Sequence, residues 1–323
     1  MCSWQVKGRR HRNLARPKKR SILTHRALNL QKVRRYLVAN MNSQLRTMTP
    51  ADVAAGMRLK EIAGWNQTKE DWERFLQAEP EGCFVADWNG QVAGTVTTVI
   101  YEGRFAWIGM VLVDPQLRGK GIGTALLQKA IDHLDAKKVP CVKLDATPQG
   151  KPIYARLGFQ TEYEIERHSL TREVGPKDCP ATVSGGAKNL KALFKMDREV
   201  FGADRSALLR SLAQSGPELV TIARHEGAVQ GFALGRKGSQ ADHLGPWVAS
   251  NAIAAREVFE GFLLRSQRQV VFVDMVRDNP WAPALLAVKG FQFSRTLTRM
   301  YRGENAHPGR PDLLCAILGP EFG

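Results

Sequence analysis

The stretch DPQLRGKGIGTALL (Asp114–Leu127) holds three glycines within five positions, Gly119, Gly121 and Gly123. An apolar pattern with helical spacing follows directly, so the glycines lie where a helix begins. The first N–H groups of a helix have no intrahelical partner and carry a partial positive charge. Because glycines have no side chain, an anion can reach those N–H groups. The stretch therefore predicts an anion site, and a glycine-rich turn without a ligand is the alternative.

Two familiar phosphate-binding patterns do not fit this stretch. A P-loop needs G-x4-G-K-[ST], and here Gly121 follows the pair Gly119–Lys120. A dinucleotide fingerprint needs G-x-G-x-x-G after the first strand of a βαβ unit, whereas this spacing is G-x-G-x-G and comes after about four strands. The pattern R-x-x-G-x-G between a strand and a helix is satisfied by Arg118, Gly121 and Gly123. It favours a pyrophosphate as the bound anion.

The order of elements around the glycines predicts a mixed sheet covered by helices. From residue 44 the patterns indicate β-α-α-β-β-β-α-β-α-β, with Cys141–Ala146 as a strand and residues 159–170 as an alternating closing strand. Residues 172–188 are rich in glycine, proline and polar residues, which is typical of a linker. A similar order recurs over residues 189–323. We therefore predict an α/β fold (α+β mixed sheet) with two tandem units, 44–171 and 189–323.

Positive charge is concentrated at the start of the chain. The net charge is +16, but residues 1–40 contain 12 of the 47 lysines and arginines and no acidic residue. The remaining residues carry 35 basic and 31 acidic side chains, which argues against a body that binds nucleic acid. We interpret residues 1–43 as a basic extension. Its role stays open between a disordered tail or leader, an organelle transit peptide, and an arm that binds nucleic acid or another anionic surface.

Cysteine and histidine usage indicates neither disulfides nor a metal site. The five cysteines are far apart, no CxxC occurs, and the seven histidines show no ligand spacing. We therefore expect reduced thiols in a cytoplasmic location and no metal cofactor. No apolar run approaches the roughly 18 residues that a transmembrane helix needs, so no membrane span is expected.

Two motifs together resemble the GNAT N-acetyltransferase superfamily. The stretch VLVDPQLRGKGIGTALL (Val111–Leu127) is similar to that family's acetyl-CoA motif, and LDATPQGKPIYARLGF (Leu144–Phe159) is similar to its later motif. The two-unit arrangement is also similar to tandem GNAT proteins with a divergent second copy. The resemblance implies acetyl-CoA as co-substrate and transfer of an acetyl group to a primary amine by direct attack in a ternary complex.

The resemblance also implies which residues bind the co-substrate. Backbone groups of Val111 and Val113 would pair with the pantetheine arm, and Thr147 matches a polar position that helps to order the cofactor. The pyrophosphate would lie against the N–H groups of the loop and the helix start, at Arg118, Gly119, Lys120, Gly121, Gly123 and Thr124.

The resemblance further implies two catalytic groups. An N–H of Met110 or Val111 would stabilise the thioester oxygen, in a gap where the strand that contains them parts from Cys141–Ala146. Tyr154 matches the family's general acid. The general base stays open: Asp145 and Glu102 are candidate carboxylates, although each is more typical of a structural group, and water is the third alternative.

The second unit lacks the glycine stretch. Aligning Gly290-Phe291-Gln292 with Gly158-Phe159-Gln160 places Ile253 opposite Gly121, and VASNAIAAREVF (residues 248–259) contains no glycine. We therefore expect only the first unit to bind acetyl-CoA. The second unit would shape the acceptor cleft or stabilise the pair.

Two functions from different classes remain open at this level. The first is an N-acetyltransferase that acts on a small-molecule amine, with a homodimer as one option for its assembly. The second is a catalytically silent CoA-binding regulatory or scaffold protein whose basic arm docks on RNA, the ribosome or a membrane. Tyr154 and an open gap between strands discriminate between them, because a silent protein needs neither.

Overall fold

The structure is a computed structural model that describes residues 43–174, 184–185 and 190–323. The predictions for the basic extension and for most of the linker lie outside these described residues. Within the described ranges, every helix is too short or too polar to cross a membrane.

The first half alternates strands and helices in the predicted order. Its elements are β1 (Ser43–Thr47), α1 (Val53–Ile62), α2 (Lys69–Ala78), β2 (Phe84–Trp88), β3 (Gln91–Tyr101), β4 (Phe105–Val113), α3 (Ile122–Ala136), β5 (Cys141–Ala146), α4 (Lys151–Arg156) and β6 (Gln160–Thr171).

The second half repeats this order and adds a short strand at its end. Its elements are β7 (Ser184–Gly185), α5 (Lys191–Phe201), α6 (Ser206–Ser215), β8 (Val220–His225), β9 (Ala228–Lys237), β10 (Asp242–Ala249), α7 (Ala252–Arg265), β11 (Val270–Val276), α8 (Ala282–Val288), β12 (Gln292–Gly303) and β13 (Leu314–Ala316).

Local sequence signals explain where several elements begin and turn. Thr68 and Asp71 form a capping box that satisfies N–H groups at the start of α2. Asn89 and Gly90 adopt φ values of 51° and 80° between β2 and β3, as a two-residue hairpin turn requires. Strand β5 has the bounds that the sequence predicted.

Among the described residues, thirteen strands form one sheet in the order β1-β2-β3-β4-β5-β12-β6-β11-β13-β10-β9-β8-β7. The pairs β4–β5 and β10–β11 are parallel, and the others are antiparallel. The predicted mixed α/β fold with two repeated units is confirmed.

The last strands of the two units are exchanged. Strand β12 of the second half pairs with β5 of the first, and β6 pairs with β12 and with β11. The interpretation of residues 159–170 as a strand that closes the first sheet is therefore corrected, because β12 separates β6 from β5. The limits 44–171 and 189–323 stay a prediction, since the shared strands join both halves.

A buried ion pair holds the exchanged strand β12 in place. Arg299 in β12 donates to both carboxylate oxygens of Asp145 in β5, each at 2.9 Å, and to the hydroxyl of Tyr163 in β6 at 2.5 Å. The guanidinium also lies 4.4 Å from the ring centroid of Trp107 in β4. Arg299 is 3% exposed, the side chain of Asp145 is fully buried, and Arg299 is its salt-bridge partner among the described residues.

Each face of the first half has its own apolar core. On one face α3 buries an aliphatic stripe that includes Leu126, Ile131 and Leu134. On the other face α1 and α2 pack through groups such as Trp72 and Phe75, both 0% exposed. Aromatic and aliphatic burial of this extent is the main stabilising contribution to the fold.

Residues 317–323, which follow β13 and are here named the tail segment, pack onto the first half. The ring of Phe322 stacks on Phe75 with centroids 4.3 Å apart. The hydroxyl of Tyr101 donates to the carbonyl of Phe322 at 2.8 Å, and the indole N–H of Trp107 donates to the carbonyl of Pro320 at 2.9 Å. The tail segment is therefore part of the first unit's core.

We predict that Arg299→Met lowers the free energy of unfolding by about 3–5 kcal/mol, because it leaves the buried Asp145 carboxylate without its partner. Urea denaturation followed by circular dichroism measures the change. Arg302→Met on the same strand removes a partly exposed pair with Asp135 and should cost less than about 1 kcal/mol. Equal losses in the two variants would contradict the assigned role of Arg299.

Candidate functional site

The glycine stretch forms an open loop that leads into α3. Gly119 and Gly121 adopt φ values of 77° and 89°, in the left-handed region that side chains other than glycine disfavour. Gly121 is the N-cap residue of α3 and supplies no side-chain cap. A Cβ built on Gly123 would lie 3.3 Å from Val113 of β4, so the helix start packs closely against the end of that strand.

The N–H groups at this helix start are free to bind an anion. No hydrogen bond joins the backbone N–H groups of residues 119–124 to another described residue, and Ala125 is the first whose N–H donates, to the carbonyl of Gly121 at 3.0 Å. Arg118, Lys120 and Thr124 are exposed around these groups, and the ammonium of Lys120 lies 4.7 Å from the ring centroid of Trp88. The loop thus combines free donors with positive charge.

A β-bulge distorts β4 just before it reaches the loop. Thr97 pairs with Gly109 and Thr95 pairs with Leu112, so Met110 and Val111 together face a single residue of β3. Met110 has φ 49°, which is unusual for a residue with a side chain. Its carbonyl accepts a hydrogen bond from the Thr95 hydroxyl at 2.8 Å.

The neighbouring strand β5 leaves β4 before this bulge. The two strands pair only at Ala106–Val142 and Trp107–Lys143, so the predicted gap is present. The N–H of Asp114 donates to Ala93 in β3 at 2.8 Å. Because backbone groups alternate along a strand, the N–H of Val113 points the other way, toward the gap.

A cavity of about 110 Å³ lies where the two strands part, which is room for several water molecules. It brings together four of the predicted site residues: Met110, Val111, Thr147 and Tyr154. Val113 and the glycine loop lie outside it, beyond the end of β4. The loop with its unpartnered N–H groups and the cavity therefore follow one another along β4.

Tyr154 lies on α4 at the wall of the cavity. A Cβ on Gly150 would be 2.8 Å from its ring, so glycine makes room for the tyrosine, and the ring meets Phe159 edge to face at 6.1 Å. Burial raises the pKa of Tyr154 to about 12. The phenol therefore keeps its proton at neutral pH.

Thr147 contributes mainly to the geometry of α4. Its hydroxyl accepts a hydrogen bond from the N–H of Gly150 at 3.2 Å, which fixes the turn between β5 and the helix. This contact orients the helix that carries Tyr154.

The two candidate general bases are both engaged in ion pairs. Asp145 lines the cavity, but Arg299 occupies both of its oxygens. Glu102 lies at the turn between β3 and β4, away from the cavity, where it accepts hydrogen bonds from Arg198 at 2.8 Å and 3.2 Å. These contacts agree with the structural interpretation of both carboxylates.

The second unit has a corresponding helix start and a corresponding gap between strands, but the chain itself occupies both. The side chain of Asn251 caps α7 and accepts from the N–H of Ala254 at 2.9 Å, which engages one of the free donors. Strands β10 and β11 also part, but β13 pairs with both of them and fills their gap. This arrangement supports the prediction that only the first unit binds the co-substrate.

Seven lining residues of the cavity were missed by the sequence analysis: Trp65, Gln67, Arg167, Arg295, Leu297, Pro320 and Glu321. They come from the loop after α1, from the exchanged strands and from the tail segment. One signal was available: Gly109 interrupts an apolar strand, which is typical of a close backbone approach. A Cβ there would lie 2.6 Å from the carbonyl of Glu321.

The described ranges contain no group of three or more His, Cys, Asp or Glu side chains that could hold a metal ion. The expectation that the activity needs no metal stays a prediction.

Comparisons with known proteins identify both units. A sequence model described as "Acetyltransferase (GNAT) family" matches residues 55–159, and one described as "Acetyltransferase (GNAT) domain" matches residues 193–316. The chain is 29% identical over 272 residues to holothin acyltransferase of Pseudoalteromonas sp. (strain SANK 73390), which covers 80% of this chain and 87% of that protein. It is 25% identical over 209 residues to an uncharacterized N-acetyltransferase of Bacillus subtilis (strain 168), covering 64% and 73%.

Solved structures show the same fold. A putative acetyltransferase from Pyrococcus horikoshii superposes with a TM-score of 0.74 at 22% identity and covers 87% of this chain and 96% of that one. A tandem GNAT protein from the clavulanic acid biosynthesis pathway superposes with a TM-score of 0.56 at 15% identity, covering 81% and 98%. The fold and the sequence matches define a GNAT-type acyltransferase. The chain belongs to the GNAT acetyltransferase family and carries two GNAT units in tandem.

Proposed function

We propose that this enzyme transfers an acetyl group from acetyl-CoA to the primary amine of a small molecule, by direct attack while both are bound. One observation carries the proposal: the free N–H groups of residues 119–124 lead, along the edge of β4, into the cavity that Tyr154 borders. A loop with unpartnered N–H groups joined to a cavity suits a long molecule with phosphates at one end and a reactive group at the other. No observation on the described residues favours a silent scaffold.

The chain's residues fit acetyl-CoA in three respects. The loop has donors without partners and no side chains in the way, which suits a pyrophosphate. The N–H of Val113 points into the gap between β4 and β5, where it can pair with an amide of the pantetheine arm. The bulge at Met110 places a backbone N–H of Met110 or Val111 beside the cavity, where it can donate to the thioester oxygen.

Acetyl-CoA supplies the acetyl group as a thioester and leaves as the free thiol of coenzyme A. In the transfer, the C–N bond forms as the C–S bond breaks. The backbone donor at the bulge stabilises the negative charge that develops on the carbonyl oxygen. Tyr154 donates its proton to the departing sulfur and regains one from water. The proton of the attacking amine passes to water, because Arg299 and Arg198 already occupy the two candidate bases from the sequence, Asp145 and Glu102.

We predict that Gly121→Glu lowers the affinity for acetyl-CoA by about 100-fold, because a side chain and a negative charge then stand where the pyrophosphate must lie. Isothermal titration calorimetry measures the dissociation constant. Ile253→Glu places the same change at the corresponding helix start of the second unit, where Ile253 is 72% exposed. It should leave the affinity unchanged, and a loss in that variant would contradict binding by the first unit alone.

Tyr154→Phe should lower kcat by about 100-fold, because the phenol that protonates the leaving thiolate is lost. The dissociation constant for acetyl-CoA should change less than about twofold, since the ring and its packing on Gly150 remain. Thiol release with an amine panel gives kcat, and calorimetry gives the affinity. If binding collapses while kcat is kept, Tyr154 has a binding role instead.

The pH profile of kcat/KM should rise from about pH 7 as the acceptor amine loses its proton, with no falling limb up to about pH 10. Tyr154 must stay protonated to act as the acid, and burial raises its pKa to about 12, so its activity is lost only above that range. Steady-state rates across the range measure the profile. A falling limb centred well below pH 10 would show that a group other than Tyr154 is the acid.

A further inference from the structure

Four charged residues line the cavity between β4 and β5: Asp145, Arg167, Arg295 and Glu321. Three of them have counter-ions. Asp145 pairs with Arg299 as described above. Arg167 donates to both oxygens of Asp274 at 2.6 Å and 2.7 Å, and Glu321 pairs with Arg236.

Arg295 is the exception among these four. Within residues 43–174, 184–185 and 190–323 it has no ion pair, and its Nε is buried without a hydrogen-bond partner. Directly across the strand pair, the residue opposite Arg295 is Arg167. Two like charges in that position repel each other, and the carboxylate of Asp274 is already used by Arg167 and lies 3.2 Å from His243.

Burial and the nearby charge of Arg167 lower the pKa of Arg295 to about 10, and the weaker opposing effect of the Asp274 and Glu321 carboxylates does not offset them. The side chain is therefore still a cation at neutral pH. Arg295 is partly buried, with its Nε fully covered, so a cation there without an ion-pair partner carries a desolvation cost that an anionic ligand would reduce.

We propose that Arg295 binds a carboxylate that a substrate carries into the cavity, and that this substrate is the acceptor. The inference rests on the proposed acyl transfer, since it adds the chemical class of the acceptor to it. A guanidinium pairs with a carboxylate through parallel, charge-assisted hydrogen bonds.

Two further atoms of the cavity fit the other end of such an acceptor. Glu321 and Gln67 both line the cavity, and Glu321 Oε2 and Gln67 Oε1 are buried and have no hydrogen-bond partner in the described part of the chain. Both are acceptors, so they suit the N–H groups of an amine. One unpartnered donor and two unpartnered acceptors around one cavity match a molecule with both a carboxylate and a primary amine, as in an amino acid.

A carboxylate could also arrive on the acyl group of the donor. An acyl chain that ends in a carboxylate, such as succinyl, would bring the same chemistry to Arg295 from the thioester side. The acceptor is favoured because the unpartnered acceptor atoms Glu321 Oε2 and Gln67 Oε1 call for an amine on the same molecule. The experiment below has one arm for each source.

The acceptor arm measures kcat/KM with acetyl-CoA for glycine, leucine and phenylalanine and for the amide of each. The donor arm measures the rates with succinyl-CoA and butyryl-CoA, using the amides as acceptors. Both arms are run on the wild-type enzyme and on Arg295→Gln, Arg295→Lys and the control Arg302→Gln, which changes a partly exposed arginine at the other end of β12.

In the acceptor arm, Arg295→Gln should lower the ratio of kcat/KM for the acid over its amide by about 10- to 100-fold, the loss expected for a charge-assisted pair. Arg295→Lys should restore part of the ratio, and Arg302→Gln should not change it. The affinity for acetyl-CoA should be the same in all variants, because the glycine loop is untouched.

A loss of preference for succinyl-CoA over butyryl-CoA in Arg295→Gln, with no change in the acceptor ratios, would keep the carboxylate site but assign it to the donor. Unchanged ratios in both arms would overturn the proposal.

Direct binding separates this proposal from the proposed function. N-acetylleucine and N-acetylleucinamide are titrated into the wild type and Arg295→Gln, and the fluorescence of Trp65 and the other tryptophans is followed. If no acceptor releases thiol from acetyl-CoA, the acetyl transfer itself fails. A preference for the acid that Arg295→Gln abolishes would then still support the carboxylate site, whereas equal or absent binding of both probes would overturn it.

Discussion

The site depends on the separation of β4 from β5, which pair in parallel at only two positions, Ala106–Val142 and Trp107–Lys143. The two strands pair as far as Trp107, and the residues of β4 after Trp107 do not pair with β5. The bulge at Met110 turns β4 away and frees backbone groups on its edge. Since a strand edge in a sheet interior normally pairs, this edge must be satisfied by something other than β5. A ligand that enters the gap with its own amide groups would do so.

The second unit shows what happens when the same gap is filled by the chain itself. There β13 lies between β10 and β11, and Asn251 caps the helix that follows. The chain then continues as the tail segment to the first unit, where Pro320 and Glu321 form part of the cavity wall. One continuous stretch thus closes the second gap and completes the first. The divergent unit therefore supplies one side of the cavity beside β4, which agrees with the prediction that it shapes the acceptor cleft.

Local chemistry made much of the fold predictable from sequence. The glycines at 119, 121 and 123 predicted the loop before α3, and the Asn89–Gly90 pair predicted a hairpin. The apolar pattern of β5 predicted both of its end residues correctly. The glycine loop and Tyr154 were found because the residues of each motif lie close together in sequence. Their roles stay proposals, but their positions around one gap agree with the resemblance that suggested them.

Long-range contacts could not be predicted in the same way. The exchange of β6 and β12 depends on which of these strands pairs with β5. Both have an alternating sequence pattern, so the pattern does not decide between them. The ion pair of Arg299 with Asp145 joins residues 154 positions apart, and no local sequence pattern predicts it. The same holds for Arg295 and Glu321, whose importance comes only from their shared cavity. Gly109 was the one local sign that another part of the chain approaches β4.

The most direct test is a crystal structure of the protein with coenzyme A. We predict one molecule per chain, with its pyrophosphate on the N–H groups of residues 119–124 and its pantetheine arm between β4 and β5, while β13 stays between β10 and β11. A molecule bound between β10 and β11 with β13 displaced would contradict it. So would a pantetheine arm that lies outside the gap between β4 and β5.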